Sequence, residues 1–330
     1  MDSLNPNIGL LTYFTKYGTE QKCIEHFVNE RKNQGITCSK CGCQTKHYYL
    51  KSIRQFRCSV CNKKQGLRAN TYMADSNLPF HYWYFATYIM TSFVKSLSAK
   101  EMQRQLGHKF YEPVWLMMHK IRATMRNRDQ LYVLNYEIEG DEGFVSSYLT
   151  TSEKKLLPKS IVKINKNQQG RGSDKKTPIL VLAESQYTSN NNKWKPNKAV
   201  DFVRLTSLQD TSSTTLNYEI AQFVNKDNSV LVTDKWRGYN NASAVVSIHD
   251  SVNTNKHNKE EIIEQHLPWV HKIISNFKRN VLNAHHAISR KYLDNYLAEF
   301  QYKFNRRKYK QNKFEHLITA GIGMNWYQAA

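Results

Sequence analysis

Residues 38–61 read CSKCGCQTKHYYLKSIRQFRCSVC, and this stretch decides the fold of the N-terminal module. It contains two Cys-x2-Cys pairs, Cys38 with Cys41 and Cys58 with Cys61, which are separated by sixteen residues. Each pair can present two thiolates to one metal ion. The aromatic, β-branched and basic residues between the pairs predict a β-hairpin that brings the thiols together. Because four thiolates complete the tetrahedral coordination that Zn²⁺ favours, we predict a zinc ribbon with a structural zinc ion.

The remaining cysteines and the apolar segments bear on the cellular compartment. All six cysteines precede residue 62, and Cys23 and Cys43 are interpreted as ordinary cysteines without a metal role. Residues 1–18 lack a basic region followed by a long apolar core, so no signal peptide is expected. The most apolar stretch, 83–94, is too short to span a bilayer. We therefore expect an intracellular protein with reduced thiols, cytoplasmic and associated with the nucleoid in a prokaryote, or nuclear in a eukaryotic host.

The charge of the chain indicates the class of its partner. It has 330 residues, 40% of them apolar, with 48 Lys plus Arg against 27 Asp plus Glu and a formal net charge of +21. Such a surface attracts polyanions, of which nucleic acid is the commonest and an anionic membrane surface is the alternative. The charge would need no partner if the host proteome as a whole is rich in Lys and Asn. Basic residues around the predicted ribbon favour phosphate contacts, although many ribbons only stabilise a fold. These residues are Lys40, Lys46, Lys51, Arg54, Arg57, Lys63, Lys64 and Arg68.

A helical segment is predicted after the ribbon. Ser98 and Glu101 have capping-box spacing, and Gly107 can end the helix that they begin. A helix, a glycine-containing turn and a second helix form the helix-turn-helix pattern of many DNA-binding proteins, although ordinary helical bundles share it. A helix is also predicted before the one that Ser98 begins, at 80–94, with Pro79 at its start. A third helix is predicted after Gly107, at 112–126.

From about residue 131 the pattern predicts a mixed α/β sheet, because strands come first and then alternate with helices. Residues 152–176 are rich in Lys and Arg and lack periodicity, so they are interpreted as a mobile basic loop or an ordinary solvated surface loop. The predicted strands are 131–139, 177–183, 199–205 and 229–233, and the predicted helices are 211–224, 267–282 and 289–306.

Two acids each follow a strand-like run. Asp141 follows the strand predicted at 131–139, and Asp234 follows the one at 229–233. Acids at strand ends of a mixed sheet can converge, and paired carboxylates suit Mg²⁺, which prefers hard oxygen ligands. Two such ions support an in-line displacement at phosphorus. From spacing alone, an aspartate after a strand can equally cap a turn or a helix.

The chain resembles the insertion-sequence transposases that carry an N-terminal zinc ribbon, whose eukaryotic relatives are the Merlin elements. The resemblance covers roughly residues 20–310, and the order of its motifs makes it specific. Besides the two Cys-x2-Cys pairs, the motifs are Ile121-Arg122, Glu139-x-Asp141-Glu142, Thr233-Asp234-x-x-x-Gly238-Tyr239, Leu267-Pro268-Trp269-Val270-His271-x-x-Ile274-Ser275-Asn276-x-Lys278, His285-His286 and Tyr296-Leu297-x-Glu299-Phe300-x-Tyr302-x-Phe304-Asn305-Arg306-Arg307.

The resemblance implies a ribonuclease-H-like catalytic fold in which Asp141 and Asp234 are the first two metal-binding acids. It also implies a third metal-binding residue on a helix, seven positions before a basic residue. Counting back from Lys278 gives His271, with Asn276 and Glu264 as alternatives. In this family the third position can be Glu, Asn or His, and an imidazole suits Mg²⁺ less well than a carboxylate does.

The resemblance further implies a basic strip that grips DNA, on the helix face shared by Glu299, Lys303 and Arg306. A solvated, salt-bridged face is the alternative. The chain departs from the family at Lys303, where relatives carry Arg, and at Ser146-Ser147, where relatives often carry Gly-Gly. At the serine pair, either the expected turn tolerates serine or this copy has drifted. The predicted DNA contacts are Arg54, Arg57, Lys63, Arg122, Lys278, Lys303, Arg306 and Arg307.

The function implied is a metal-dependent DDE-type transposase. It would bind the terminal inverted repeats of its own element and catalyse strand cleavage and strand transfer, with two Mg²⁺ ions that Mn²⁺ can replace. Its partner would be double-stranded DNA, on which at least a homodimer assembles. A non-catalytic DNA-binding regulator, an inactive transposase relic and a nuclease that cuts without joining are the alternatives. The predicted organisation is an N-terminal arm (1–20), the zinc ribbon (21–70), the helical DNA-binding segment (78–128), the catalytic domain (131–310) with its basic loop (152–176), and a C-terminal tail (311–330).

Overall fold

The computed structural model describes residues 8–44, 46–150, 155, 176–187, 198–253, 266–308 and 312–325. The chain divides into two compact units. The first comprises Met1–Arg128 together with Lys308–Ala330, and the second comprises Asp129–Arg307. Most of the predicted basic loop lies outside the described residues, and so does Glu264.

The first unit begins with two helices that the sequence analysis did not predict. They are α1 (Leu10–Tyr17) and α2 (Glu20–Gln34), which occupy the predicted arm and the first part of the predicted ribbon. The side chain of Thr19 caps α2 by accepting a hydrogen bond from the Lys22 N–H at 3.3 Å. Cys23 lies on the buried face of α2, which explains its presence without a metal role.

The ribbon is a three-stranded antiparallel sheet of β1 (His47–Leu50), β2 (Gln55–Cys58) and β3 (Lys64–Gly66). The predicted hairpin between the cysteine pairs is therefore confirmed as β1 and β2. Its tight turn places Arg54 at a φ of 50°, in the left-handed region. Tyr48, Arg57 and Lys64 lie opposite one another across the three strands.

The helical segment forms as predicted, with α3 (Phe80–Ser92), α4 (Ala99–Leu106) and α5 (Tyr111–Asp129). The hydroxyl of Ser98 caps α4 by accepting the Glu101 N–H at 3.2 Å. Gly107 ends α4 at a φ of 62°, a left-handed conformation that glycine adopts without strain. Most of α5 after its first turn is buried.

The last helix among the described residues, α9 (Lys313–Gly323), lies in the segment predicted as a tail. It packs against α2 and α3 in the first unit. Gly321 is required there, because a Cβ atom at this position would lie 2.6 Å from the Tyr72 ring. The backbone N–H of Tyr72 also donates to the Gly321 carbonyl at 3.0 Å.

The second unit is built on a mixed sheet of β4 (Leu134–Tyr148), β5 (Lys176–Tyr187), β6 (Lys198–Ser207), β7 (Val224–Asp234) and β8 (Ile248–Val252). Their order in the sheet is β6-β5-β4-β7-β8. Strand β5 runs antiparallel to both of its neighbours, β4 and β6, whereas β7 runs parallel to β4 and β8 runs parallel to β7. A short strand, β9 (Ile288–Ser289), pairs with the far end of β4. The mixed α/β sheet with flanking helices is the ribonuclease-H-like architecture that was expected.

Helices cover both faces of this sheet. Helix α6 (Ser213–Phe223) packs on one face through Leu216 and Ile220. Helices α7 (Pro268–Ala284) and α8 (Leu293–Asn305) contribute the core of the other face. In the described parts of the chain, no helix is long and apolar enough to cross a membrane.

Strand β4 is longer than predicted and does not end before the acids. It continues through Asp141 to Tyr148 because β5 pairs with it as far as Ser146. Ser147 is buried in this extension, where its hydroxyl lies 2.6 Å from that of Thr177. The serine pair therefore stands in a strand, and the expected turn is absent at this position.

Helix α8 covers the outer edge of β6. An exposed strand edge presents unpaired backbone groups, which native proteins cover or block. Three polar side chains of α8 each accept a hydrogen bond from a backbone N–H on this edge: Asn305 from Val203, Gln301 from Leu205, and Asp294 from Ser207.

Candidate active site and metal centre

The thiols of the two Cys-x2-Cys pairs form one cluster. The Sγ atoms of Cys38, Cys41, Cys58 and Cys61 all lie within 4.8 Å of one another. Cys38 is 3.5 Å from Cys61, and Cys41 is 3.8 Å from Cys58. Tetrahedral Zn–S bonds of ~2.3 Å require S···S separations of about 3.8 Å, so the four thiols fit a structural zinc ion. This arrangement confirms the predicted cysteine cluster of the ribbon.

The backbone of each pair forms the same kind of turn. The amides of Lys40 and Val60 each point at the first cysteine sulfur of their pair, at 3.4 Å. The turns end at Gly42 and Asn62, which have φ angles of 69° and 56°. Both conformations are left-handed, a region that glycine and asparagine tolerate best.

A basic surface lies beside the cluster on the ribbon sheet. Lys46 Nζ and the Arg57 guanidinium lie 5.3 and 5.7 Å from the centre of the Tyr48 ring. Arg54, Arg57 and Lys63 are all exposed, as phosphate contacts require. The three predicted DNA contacts of the ribbon are therefore accessible.

The two predicted catalytic acids lie on neighbouring strands at the same level. Gly140 of β4 pairs with Thr233 of β7, so Asp141 and Asp234 are the next residues on two parallel strands. Strand alternation directs both side chains toward the α7 face of the sheet. One oxygen of Asp234 also accepts a hydrogen bond from the Trp236 N–H at 3.0 Å. That oxygen therefore caps the turn after β7, as the alternative interpretation of this aspartate expected.

Helix α7 brings His271 to Asp141. The His271 Nε2 atom lies 3.7 Å from Asp141 Oδ2, with 39% of the imidazole and 15% of the carboxylate side chain exposed. Asn276 instead lies on an exposed part of α7, where its side chain accepts a hydrogen bond from Arg279. Among the described candidates for the third position, His271 is therefore the one that lies beside Asp141.

Glu139 anchors the start of α7. Its Oε2 atom accepts the backbone N–H groups of Trp269 and Val270 at 2.7 and 2.9 Å. These are groups that a helix N-terminus leaves unpaired, and a carboxylate is favoured beside them. Glu139 is buried on the same strand face as Asp141, two residues away, so it fixes the first turn of α7 beside Asp141. Burial raises the pKa of Glu139 to about 7, although the two backbone hydrogen bonds oppose this shift.

Two further residues define the surroundings of Asp141. A Cβ atom at Gly143 would lie 3.2 Å from Ile274 of α7, so the glycine permits close packing of that helix. Lys278, seven residues after His271, is half-buried, and burial lowers its pKa. Nearby Lys176 lowers this pKa further, while the charge of Asp141 opposes both effects. Lys278 therefore lies close enough to Asp141 for their charges to interact.

The donor set fits a hard divalent cation. Asp141 lies beside Asp234 on the neighbouring strand and beside His271 of α7. Carboxylates and a neutral imidazole are both common metal ligands. Within the described residues, the cysteine cluster is the only group of three or more such side chains whose ligand atoms all lie within 4.8 Å. Asp141, Asp234 and His271 do not form such a group in the described part of the chain. Glu142, the next residue of the motif, lies on the opposite sheet face near Tyr239.

Three of the predicted DNA contacts, Arg122, Lys303 and Arg306, have buried side chains in this structure. Arg122 is only 1% exposed. Lys303 pairs with Glu299 at 2.7 Å, and Arg306 pairs with Asp129 at 2.6 Å. The face of α8 that carries these charges is thus salt-bridged and buried within the second unit rather than solvated. Arg307, the next residue, is exposed.

The comparisons with known families agree with this geometry. Residues 133–305, about half of the chain, match the family described as the ISXO2-like transposase domain. Residues 18–64 match the transposase zinc-ribbon domain. The first match includes the acids and His271, and the second includes all four clustered cysteines. No curated protein matches the chain.

Proposed function

The chain belongs to the ISXO2-like transposase family, and on this basis we propose that it joins the ends of its own mobile element to target DNA. The observation that carries the proposal is the grouping of Asp141, Asp234 and His271 on the α7 face of the sheet. The two acids stand at one level of neighbouring strands, and the imidazole lies 3.7 Å from Asp141. Such a grouping suits metal-dependent chemistry on phosphodiesters.

Asp141, Asp234 and His271 would hold the two Mg²⁺ ions. When bound, such ions activate an attacking oxygen and stabilise the leaving oxygen of an in-line displacement at phosphorus. An imidazole is a softer ligand than Mg²⁺ prefers, so Mn²⁺ is expected to substitute well. The zinc of the ribbon has a separate, structural role because four thiolates leave no open coordination position.

The other residues of the site bind and orient. His271 must be neutral to offer the Nε2 lone pair that faces Asp141. Glu139 holds the first turn of α7, and therefore His271, in place. Lys278 would contact a DNA phosphate beside the acids, since it is half-buried and carries a positive charge toward Asp141.

The reaction proceeds in two displacements. Water attacks the phosphodiester at the element end and releases a 3′-hydroxyl, which then attacks a phosphodiester of the target. The second step exchanges one phosphodiester for another, so it needs no external energy source. No covalent bond between protein and DNA forms, and no serine or tyrosine nucleophile is required.

DNA binding would involve the ribbon. Arg54, Arg57 and Lys63 are exposed there, and the net charge of +21 favours duplex DNA. The terminal inverted repeats of the element are the proposed specific sites. Because two ends must be joined together, we propose that at least a dimer assembles on DNA.

The test is a joining reaction with purified protein, a short duplex ending in the inverted repeat that flanks its gene, and a supercoiled target plasmid. With Mg²⁺ or Mn²⁺, the proposal predicts covalent joining of the duplex to the plasmid. Cleavage of the duplex without joining would indicate a nuclease. Specific binding with neither product in either metal would indicate a regulator or an inactive relic, and either result would reject the proposal.

A further inference from the structure

A fifth thiol lies against the zinc cluster. Cys43 Sγ is 3.1 Å from Cys41 Sγ and 3.3 Å from Cys58 Sγ. These separations are at least as short as those within the cluster itself, where Cys41 and Cys58 are 3.8 Å apart. Cys43 was interpreted from sequence as an ordinary cysteine, because using it in place of Cys41 breaks the Cys-x2-Cys spacing.

The local backbone explains how Cys43 reaches the cluster. In the first turn, the Cys38 N–H donates to the Cys43 carbonyl at 2.9 Å, and the Gly42 N–H donates to the Cys38 carbonyl at 3.0 Å. The left-handed Gly42 reverses the chain immediately after Cys41. The hydrogen bond from Cys38 therefore closes the turn at Cys43 and holds its side chain next to the cluster.

The second turn repeats this backbone without the extra thiol. The Cys58 N–H donates to the Lys63 carbonyl at 3.0 Å, and the Asn62 N–H donates to the Cys58 carbonyl at 3.1 Å. Asn62 is left-handed, as Gly42 is. Lys63 is thus the counterpart of Cys43, and Cys61 is the counterpart of Cys41. The chain therefore contains a natural comparison, one turn with a spare thiol and one without.

Exposure indicates which ligand Cys43 can replace. Cys41 is exposed, whereas Cys58 is buried in β2 and Cys38 is also buried. An exposed ligand on a turn can move away at less cost than a buried one. Cys43 is less exposed than Cys41 and already lies 3.3 Å from Cys58, which would remain bound.

We propose that Cys43 is a reserve zinc ligand that replaces Cys41 when the Cys41 thiol is lost or modified. In the exchange, the Zn–S bond to Cys41 breaks and a Zn–S bond to Cys43 forms. The Cys43 thiol releases its proton to solvent, and a freed Cys41 thiolate accepts one, so the charge of the site is unchanged. The ribbon thereby keeps its metal, and hence its fold, when its most exposed ligand is damaged.

The test measures zinc per chain in full-length protein after dialysis against a fixed concentration of chelator. Cys41→Ser should retain about one zinc per chain, as wild type and Cys43→Ser do. Cys61→Ser is the matched control, since its turn has no spare thiol, and it should lose zinc. The double variant Cys41→Ser with Cys43→Ser should lose zinc to the same extent as Cys61→Ser. Zinc loss from Cys41→Ser equal to that from Cys61→Ser would overturn the proposal.

Cobalt substitution counts the thiolates directly. The absorption of Co²⁺ bound to Cys41→Ser should match the four-thiolate spectrum of wild type; a three-thiolate spectrum would overturn the proposal. A gain-of-metal variant guards against misfolding as an explanation. Adding Lys63→Cys to Cys61→Ser should restore zinc binding, and no restoration would contradict the role of this turn position. None of these readouts depends on DNA joining, so the result is independent of the proposed enzymatic function.

Discussion

The Nε2 atom of His271 lies 3.7 Å from the Oδ2 atom of Asp141, although 130 residues separate them in sequence. The approach depends on Glu139, which caps the first turn of α7 two residues from Asp141. The same short segment of β4 thus carries Asp141, a proposed metal ligand, and Glu139, which positions the proposed ligand His271. This arrangement makes the role of His271 testable by substitution.

His271→Ala should lower the rate of metal-dependent DNA joining on the order of 100-fold, because it removes one of three proposed metal ligands. His271→Glu should retain activity and shift its preference from Mn²⁺ toward Mg²⁺, since a carboxylate is the harder ligand. The measurement is the joining rate in each metal. Asn276→Ala, on an exposed part of the same helix, is the control and should behave as wild type. A larger loss in the control than in His271→Ala would assign the third position elsewhere.

Glu139 should make the stability of the second unit depend on pH. Its pKa is raised from 4.5 to about 7 by burial, so the folded state binds its proton more tightly than the unfolded state. Stability should therefore fall as pH rises from 4.5 to 7, by about 3 kcal/mol in total. Glu139→Gln keeps an oxygen that can accept both α7 amides and should remove this dependence. Urea unfolding across the range in Mg²⁺-free buffer measures it, and parallel pH profiles for the two proteins would refute the assignment.

Arg306→Ala should destabilise the protein by roughly 3–5 kcal/mol, because it leaves the buried carboxylate of Asp129 without its cation. Arg307→Ala is the adjacent control. Its guanidinium is exposed and donates to the backbone carbonyls of Asp201 and Phe304, so its loss should cost at most about 1.5 kcal/mol. Denaturant unfolding compares the two. Equal stabilities would show that Arg306 is not a structural residue and would reopen its assignment to DNA.

Arg57→Ala should weaken binding of duplex DNA about equally for all sequences and reduce the salt dependence of binding by ~1 phosphate contact. The exposed guanidinium of Arg57 stacks near Tyr48 and is not part of a salt bridge among those found in the described residues. Lys16→Ala, which removes an exposed charge of the same unit outside the ribbon, is the control. An unchanged salt slope in Arg57→Ala would remove this residue from the DNA-binding surface.

Local signals in the sequence predicted the local structure well. The cysteine spacing and the composition between the pairs were sufficient for the ribbon, because a hairpin and a metal site are short-range features. Ser98 and Gly107 marked the ends of α4 through side-chain capping and left-handed backbone, which also depend on near neighbours. Helix α2 was missed, although Cys23, Ile24, Phe27 and Val28 form the apolar face that α2 buries.

Long-range partners could not be predicted in the same way. Arg306 was read as a DNA contact because its partner, Asp129, lies 177 positions away in sequence. The capping role of Glu139 was missed because the amides that it accepts begin 130 residues later. The end of β4 was placed too early, since its extension past Asp141 depends on pairing with β5. Family resemblance identified Asp141, Asp234 and His271 as candidates, and the fold explains how the first and last come together.

Asp141 and Asp234 are the residues on which the proposed metal-dependent DNA joining depends. The most direct measurement is the joining rate of Asp141→Asn and Asp234→Asn against Asp227→Asn, an exposed acid at the opposite end of the strand that carries Asp234. We expect each catalytic substitution to lower the rate by at least about 1,000-fold while DNA binding and folding persist, and the control to match wild type. Joining by Asp141→Asn or Asp234→Asn at the rate of the control would show that these acids are not required for the reaction.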